Sequence, residues 1–246
     1  MNAIEVLGCR VDAVGREAAV ERVVALARGS APSLVVTLGT EMVMEAQHNE
    51  RFRAAITSAA LVTCDTVGLL LASRLRGGPL RERVAGVELV QTLAPRQEIR
   101  LFLLGGAADT AVRAAASLAE RGANIVGARD GYFSASENAD VAAQIRASGA
   151  NVLLAGLGSP KQELWLWDNL AMTGCAVGIG VGGTFDVLAG SVRRAPALVQ
   201  RLGMEWLYRL GTQPRRWRRQ LALPAFAFLA MREAVQLQFS RGKTTP

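Results

Sequence analysis

Three kinds of residue in this chain could do chemistry together: a strand-end aspartate, a set of glycine-rich turns and a run of arginines near the C-terminus. Asp65 follows the apolar run LVTC and precedes a helical stretch. A parallel strand there would deliver its carboxylate to the carboxyl end of a sheet, where binding crevices form. With an unperturbed pKa of about 4, such a carboxylate is ionised at neutral pH and could accept a proton from a hydroxyl. It could equally cap the helix that follows. Glycines close three other apolar runs: Gly105 and Gly106 after IRLFLL, Gly156 and Gly158 around Leu157, and Gly182 and Gly183 after GIGV. Such turns let backbone N–H groups approach an anion closely, and they also serve as plain strand-to-helix turns. The arginines of GMEWLYRLGTQPRRWRR follow, with the forked donors that suit a diphosphate.

Other chemistries find little support. The one histidine, His48, lies in the polar stretch QHNER and reads as a surface residue. Cys9, Cys64 and Cys175 are odd in number and widely spaced, which suggests reduced thiols rather than a disulfide framework or a zinc site. No Asp-X-Asp pair occurs, so a divalent-metal clamp has no obvious ligands, and neither a metal nor a cofactor is expected.

The elements that must position these residues alternate along the chain. IEVLGCRVD reads as a strand or hairpin, and Gly15 to Arg28 as a helix with Ala18, Ala19, Val23, Leu26 and Ala27 on its apolar side. Strands are expected at 33–38, 61–65, 99–106, 123–128, 151–157 and 175–181. Helices are expected across 40–59, 68–75, 86–93, 109–121 and 136–147. This alternation predicts an α/β fold, a Rossmann-like parallel sheet with helices on both faces. RGGPLRERV (76–84) reads as a surface excursion that could fold over a site. Beyond about residue 193 the strand signal stops, and helical segments broken by Pro196, Pro214 and Pro224 are expected.

Half of the 246 residues are apolar, enough for one core plus an appendage: 1–192 as the catalytic core and 193–246 as a helical, arginine-rich tail. The net charge of +7 is concentrated in that tail, where eleven Lys and Arg face two acidic residues, while the first 192 residues carry 17 against 19. Trp206, Tyr208, Trp217, Phe226 and Phe228 are interleaved with these arginines, a mixture that fits an anionic membrane interface or a nucleic-acid backbone. RRWRR followed by LALPAFAFLAM is too short to span a bilayer. It suits a helix lying in the interface or an ordinary terminal helix packed on the core. The start of the chain lacks the pattern of a signal peptide.

Taken in order, VVT (35–37), the Asp65 strand end, RERVAGVEL, DGYF, GLGSPKQE, GVGGTFDVLAG, RRAP, EWLYRL and QPRRWRR resemble the WecG/TagA/CpsF family of bacterial glycosyltransferases over nearly the whole chain. The resemblance implies a membrane-associated, UDP-sugar-dependent transferase at the cytoplasmic face. The sugar, an N-acetylmannosamine-like hexosamine or a relative, would pass to a polyprenyl-diphosphate-linked N-acetylglucosamine in cell-surface polysaccharide synthesis. It implies Asp65 as the base of an inverting, metal-independent displacement. Thr37, Gln162, Lys161, Glu163 and Asp186 would line the pocket, and Arg209, Arg216 and Arg219 would bind the diphosphates. Two departures from the family pattern stand out. Gly39 occupies the position of an asparagine that follows Thr37 by two, and Thr66 that of a glycine after the aspartate.

Two other classes remain open at this level. GIGVGG and GLGSPK suggest a nicotinamide-dependent oxidoreductase, although neither has G-x-G-x-x-G spacing and the first strand lacks the motif. The basic tail suggests a nucleic-acid-binding protein, although no recognised binding motif accompanies it, and nucleic acid is not the expected partner. Self-association is left open.

Overall fold

A computed structural model describes residues 2–107, 109–196, 199, 205–212, 217 and 221–242. Its centre is a parallel sheet of β3 (Ser33–Leu38), β4 (Leu61–Cys64), β5 (Arg100–Gly105), β6 (Asn124–Arg129), β7 (Val152–Gly156) and β8 (Val177–Gly180), in the order β4-β3-β8-β7-β5-β6. The inner strands are almost continuously apolar because both faces are covered. Leu34, Val36 and Leu38 point into one core layer and Val35 into the other, the period of two that a strand imposes.

One face is covered by α2 (Thr40–Ala46), α3 (Glu50–Ser58), α4 (Val67–Leu75), α7 (Asn138–Ala147) and α8 (Lys161–Thr173). The other is covered by α1 (Arg16–Ala27), α5 (Gly86–Leu93), α6 (Thr110–Ala119) and the short α9 (Thr184–Leu188). The expected parallel α/β sheet with helices on both faces is therefore present. In α1 the buried side is Ala19, Val20, Val23, Val24 and Ala27, so the apolar stripe is rotated from the expected one: Ala18 is exposed.

Strands β1 (Ala3–Val6) and β2 (Cys9–Asp12) form an antiparallel hairpin whose two-residue turn, Leu7-Gly8, has positive φ at both positions, as a tight hairpin requires. The hairpin seals the β4 edge of the sheet. Asp12 accepts a hydrogen bond from the Val62 N–H at 2.8 Å, and Arg10 donates to the Ala59 carbonyl at 2.6 Å.

Two helices of the C-terminal region are described, α10 (Glu205–Thr212) and α11 (Ala222–Gly242). Pro224 was expected to break the helix here. Instead it is the third residue of α11, in the first turn, where a backbone N–H has no intrahelical partner to lose. Phe226, Ala230 and Ala234, spaced by four, are buried in α11, which packs against α2 and α4. Glu233 accepts bonds from the Leu7 N–H at 3.2 Å and from Arg76 at 2.9 Å, tying the helix to the hairpin turn. Phe228, Met231 and Val235 lie on the exposed side of the same helix, near Leu71 and Leu75 of α4 in their exposure. No helix among the described residues is long and apolar enough to cross a membrane.

Candidate active site

From β5 the chain runs through α6 to β6 on one side, and from β7 it runs through α8 to β8 on the other. Where neighbouring strands send their connections apart, the carboxyl ends leave a crevice. The turns there pack glycine on glycine. Gly105 has φ +134°, and a Cβ on it would lie 2.4 Å from the Gly156 carbonyl. The Gly106 N–H bonds to the Gly156 carbonyl at 3.0 Å, and the Gly131 N–H to the Gly106 carbonyl at 3.1 Å. The DGYF loop is thus locked beside both turns, with Tyr132 largely exposed. Gly158 and Gly182 also have positive φ, whereas Gly183 is the residue before α9.

Along the same carboxyl edge of the sheet, on its far side, Asp65 is the first residue past β4. Its N–H continues the ladder to the Leu38 carbonyl at 2.9 Å, and its Oδ1 accepts from the Gly86 N–H at 3.1 Å. It therefore sits at the start of α5 rather than capping α4, whose N-cap is Thr66. Thr37 is 8% exposed and donates its hydroxyl to the Gly180 carbonyl at 2.9 Å. A Cβ on Gly86 would lie 3.3 Å from Thr37 Oγ1 and 3.5 Å from Thr184 Oγ1, so Thr37, Asp65 and Thr184 converge around one backbone position.

The segment 76–84 differs from a surface excursion. Leu80 and Val84 are buried, and the Val84 N–H extends β4 by bonding the Cys64 carbonyl at 2.7 Å. This brings Arg83 to the site, a residue that the sequence reading passed over inside RERV. Arg83 donates to Glu205 of α10 at 2.9 Å and lies 3.9 Å from Glu88. Burial works against its charge, but the Glu205 bond, with the charges of Glu205, Asp65 and Glu88, holds its pKa above the usual arginine value. Arg194, from RRAP, pairs with Glu88 as well.

Other expected pocket residues are placed differently from one another. Gln162 is 2% exposed, with Nε2 on Glu163 Oε1 at 2.6 Å and Oε1 on the Gly182 N–H at 3.0 Å. Glu163 is fully buried. Burial pushes its carboxyl above the ordinary range, and hydrogen bonding, chiefly from Gln162, opposes this only in part. Lys161 is exposed and extends over the Phe133 ring at 5.5 Å, toward the DGYF loop. Asp186 is half-buried on α9, near the Gly183 backbone. Arg216, Arg219 and the side chain of Arg209 lie outside the described residues.

The two departures from the family pattern touch. A Cβ on Gly39 would lie 3.3 Å from Thr66 Cγ2, so the Thr66 side chain fills space beside position 39. The Thr66 hydroxyl is buried without a hydrogen-bond partner.

Thiol chemistry beside Asp65 is unfavourable. Burial, with the neighbouring Asp65 charge, pushes Cys64 up to about 12, and all three cysteines are buried and free. Among the described residues, no three His, Cys, Asp or Glu side chains gather in a group that could hold a metal ion. His48 is exposed, as expected. The site brings together a carboxylate at a strand end, a neighbouring arginine, and glycine turns whose backbone N–H groups can approach an anion.

The model of the Glycosyl transferase WecG/TagA/CpsF family matches residues 4–240. The chain is similar to the N-acetylglucosaminyldiphosphoundecaprenol N-acetyl-beta-D-mannosaminyltransferase of Bacillus spizizenii, with 36% identity over 201 residues, covering 79% of this chain and 77% of the relative. The chain belongs to the WecG/TagA/CpsF family and is a glycosyltransferase.

Proposed function

We propose that this transferase moves an N-acetylmannosamine-like hexosamine from a UDP-sugar to a polyprenyl-diphosphate-linked N-acetylglucosamine, by an inverting displacement that needs no metal. The observation that carries the reading is the Asp65 carboxylate at the end of β4, oriented by the Gly86 N–H with Arg83 beside it. The acceptor and sugar come from the relative, whose name specifies both.

In this mechanism Asp65 takes the proton from the acceptor hydroxyl as its oxygen bonds to the anomeric carbon. The bond from that carbon to the UDP oxygen breaks on the opposite face, which inverts the centre. Negative charge on the departing diphosphate is met by Arg83, by the tail residues Arg209, Arg216 and Arg219, and by N–H groups of the glycine turns. Thr37 and Gln162 shape the pocket between β3 and β8, while Lys161 and Asp186 flank it. Residues 1–192 act as the catalytic core, and 193–246 as an appendage that completes the site. The exposed Phe228, Met231 and Val235 suit α11 to rest on an anionic membrane surface at the cytoplasmic face, where the lipid-linked acceptor lies.

The test is transfer from a panel of UDP-sugars to a short polyprenyl-diphosphate N-acetylglucosamine in vesicles, with and without a chelator. Turnover should survive chelation with one preferred donor; loss on chelation would refute the metal-free mechanism. Asp65→Asn keeps an oxygen for the Gly86 N–H, so it should lower kcat by about 100-fold or more without changing the fold. Persistent turnover would place the base elsewhere.

A further inference from the structure

Glu163 is the one fully buried acidic side chain among the described residues. A group so enclosed is poorly placed to touch a substrate, and its neighbours point to another task. Its Oε1 accepts from Gln162 Nε2, and Gln162 Oε1 accepts from the Gly182 N–H. An amide with an acceptor at its nitrogen and a donor at its oxygen has one favoured orientation. The flipped form would set N–H against N–H and oxygen against oxygen.

The arrangement is built into β8. A Cβ on Gly180 would lie 2.5 Å from Glu163 Oε1 and 2.9 Å from Gln162 Nε2, so the pair lies against the strand where only glycine leaves room. The carbonyl of that same Gly180 receives the Thr37 hydroxyl. Glu163, Gln162, the Gly182 turn and Thr37 therefore meet around one residue of backbone.

We propose that Glu163 is a positioning residue: it locks the orientation of the Gln162 amide and, through Gln162, the Gly182-Gly183 turn that borders the crevice. The kinetic consequence rests on the transferase reading above, while the structural one does not. Substrate contact then belongs to the residues it holds. A neutral carboxyl serves as well as an ionised one, because the Gln162 amide needs only one accepting oxygen, and burial favours the neutral form.

Three substitutions in the full chain test this. Glu163→Met keeps the length and loses the acceptor, Glu163→Gln keeps an acceptor oxygen, and Gln162→Ala removes the locked amide. Two quantities are measured: hydrogen exchange at the Gly182 amide, and steady-state transfer in vesicles with UDP-sugar as the varied substrate. Glu163→Met and Gln162→Ala should each speed Gly182 exchange by about tenfold, and combining them should add nothing beyond Gln162→Ala. Glu163→Met should raise KM for the donor by about tenfold with kcat changed less than about twofold, and Glu163→Gln should recover most of both effects. Unchanged exchange in Glu163→Met, additive effects in the double variant, or a Glu163→Gln variant as impaired as Glu163→Met would overturn the lock. Fast exchange with unaltered KM would overturn its role in positioning. Absence of transfer by the wild-type chain would count against the transferase reading, and exchange would still decide the lock.

Discussion

At the scale of single residues, the site depends on side chains whose partners are fixed before substrate arrives. Glu163 gives the clearest pH consequence. Its folded-state pKa is raised by burial, so the folded chain retains a proton that the unfolded chain releases at about pH 4.3. The stability from this neutral carboxyl is complete below that pH and is lost as pH rises through the folded value. Glu163→Gln cannot ionise, so its stability relative to wild type should increase as pH rises above about 4.3, read from urea unfolding across pH 4 to 8. A constant difference would mean that Glu163 titrates normally. The Gly39 and Thr66 pair yields a second prediction. Gly39→Asn alone sets a side chain against the Thr66 methyl and should cost about 1 kcal/mol. Adding Thr66→Gly should recover that loss, and the pair of substitutions should shift the preferred donor, since both positions adjoin Thr37 or Asp65. Unaltered donor ratios in the double variant would remove these two positions from specificity.

At the scale of elements, α11 presents opposite consequences from residues two apart. Phe226→Ala empties a site against α2 and α4 and should destabilise the protein by about 3 kcal/mol, measured by denaturant unfolding. Phe228→Ser, paired with Met231→Ser, should leave unfolding within about 0.5 kcal/mol and weaken sedimentation with anionic vesicles. Equal stability losses would mean that both faces pack internally. This helix also shows where sequence legibility stopped. The sheet strands were readable because VVT, LFLLG and VLLAG are apolar runs that end in turn residues, and the strand-end position of Asp65 followed from its strand, whereas its expected role as base came from the family resemblance. The two faces of α11 were unreadable because LALPAFAFLAM is apolar around its circumference, and periodicity then has no preferred side. Pro224 looked like a break because its type is known from sequence but its distance from the helix start is not. Arg83 was missed for a related reason: RERV carries no period, and only the backbone bond from Val84 to Cys64 brings it beside Asp65. Gln162 and Glu163 both read as pocket residues, and sequence alone could not show that the two side chains bond to each other against Gly180, since that contact depends on the glycine of a distant strand.

At the scale of the whole molecule, the proposed association with a bilayer is assigned to the C-terminal segment, whose sequence carries the basic charge and whose helix α11 has an exposed apolar side. Removing residues 193–246 should abolish vesicle binding and leave a folded sheet. It should also lower the melting temperature by several degrees, because α2 and α4 lose the cover of Phe226, Ala230 and Ala234. Circular dichroism and vesicle sedimentation on the truncated chain read both outcomes, and collapse of the sheet would show that the appendage belongs to the core.

The strand order has a kinetic meaning. β3 and β4 form one block and β5, β6 and β7 another, and among the described strands β8 alone bonds to both. It is also the last strand of the sheet to be synthesised. Until it inserts between β3 and β7, the Thr37 bond to Gly180 and the Gln162 contact with Gly182 cannot form. β8 is therefore a keystone. Its contact with β3 spans more than 140 residues, the type of long-range closure that slows folding, and its insertion completes the sheet on whose strand ends the site is built.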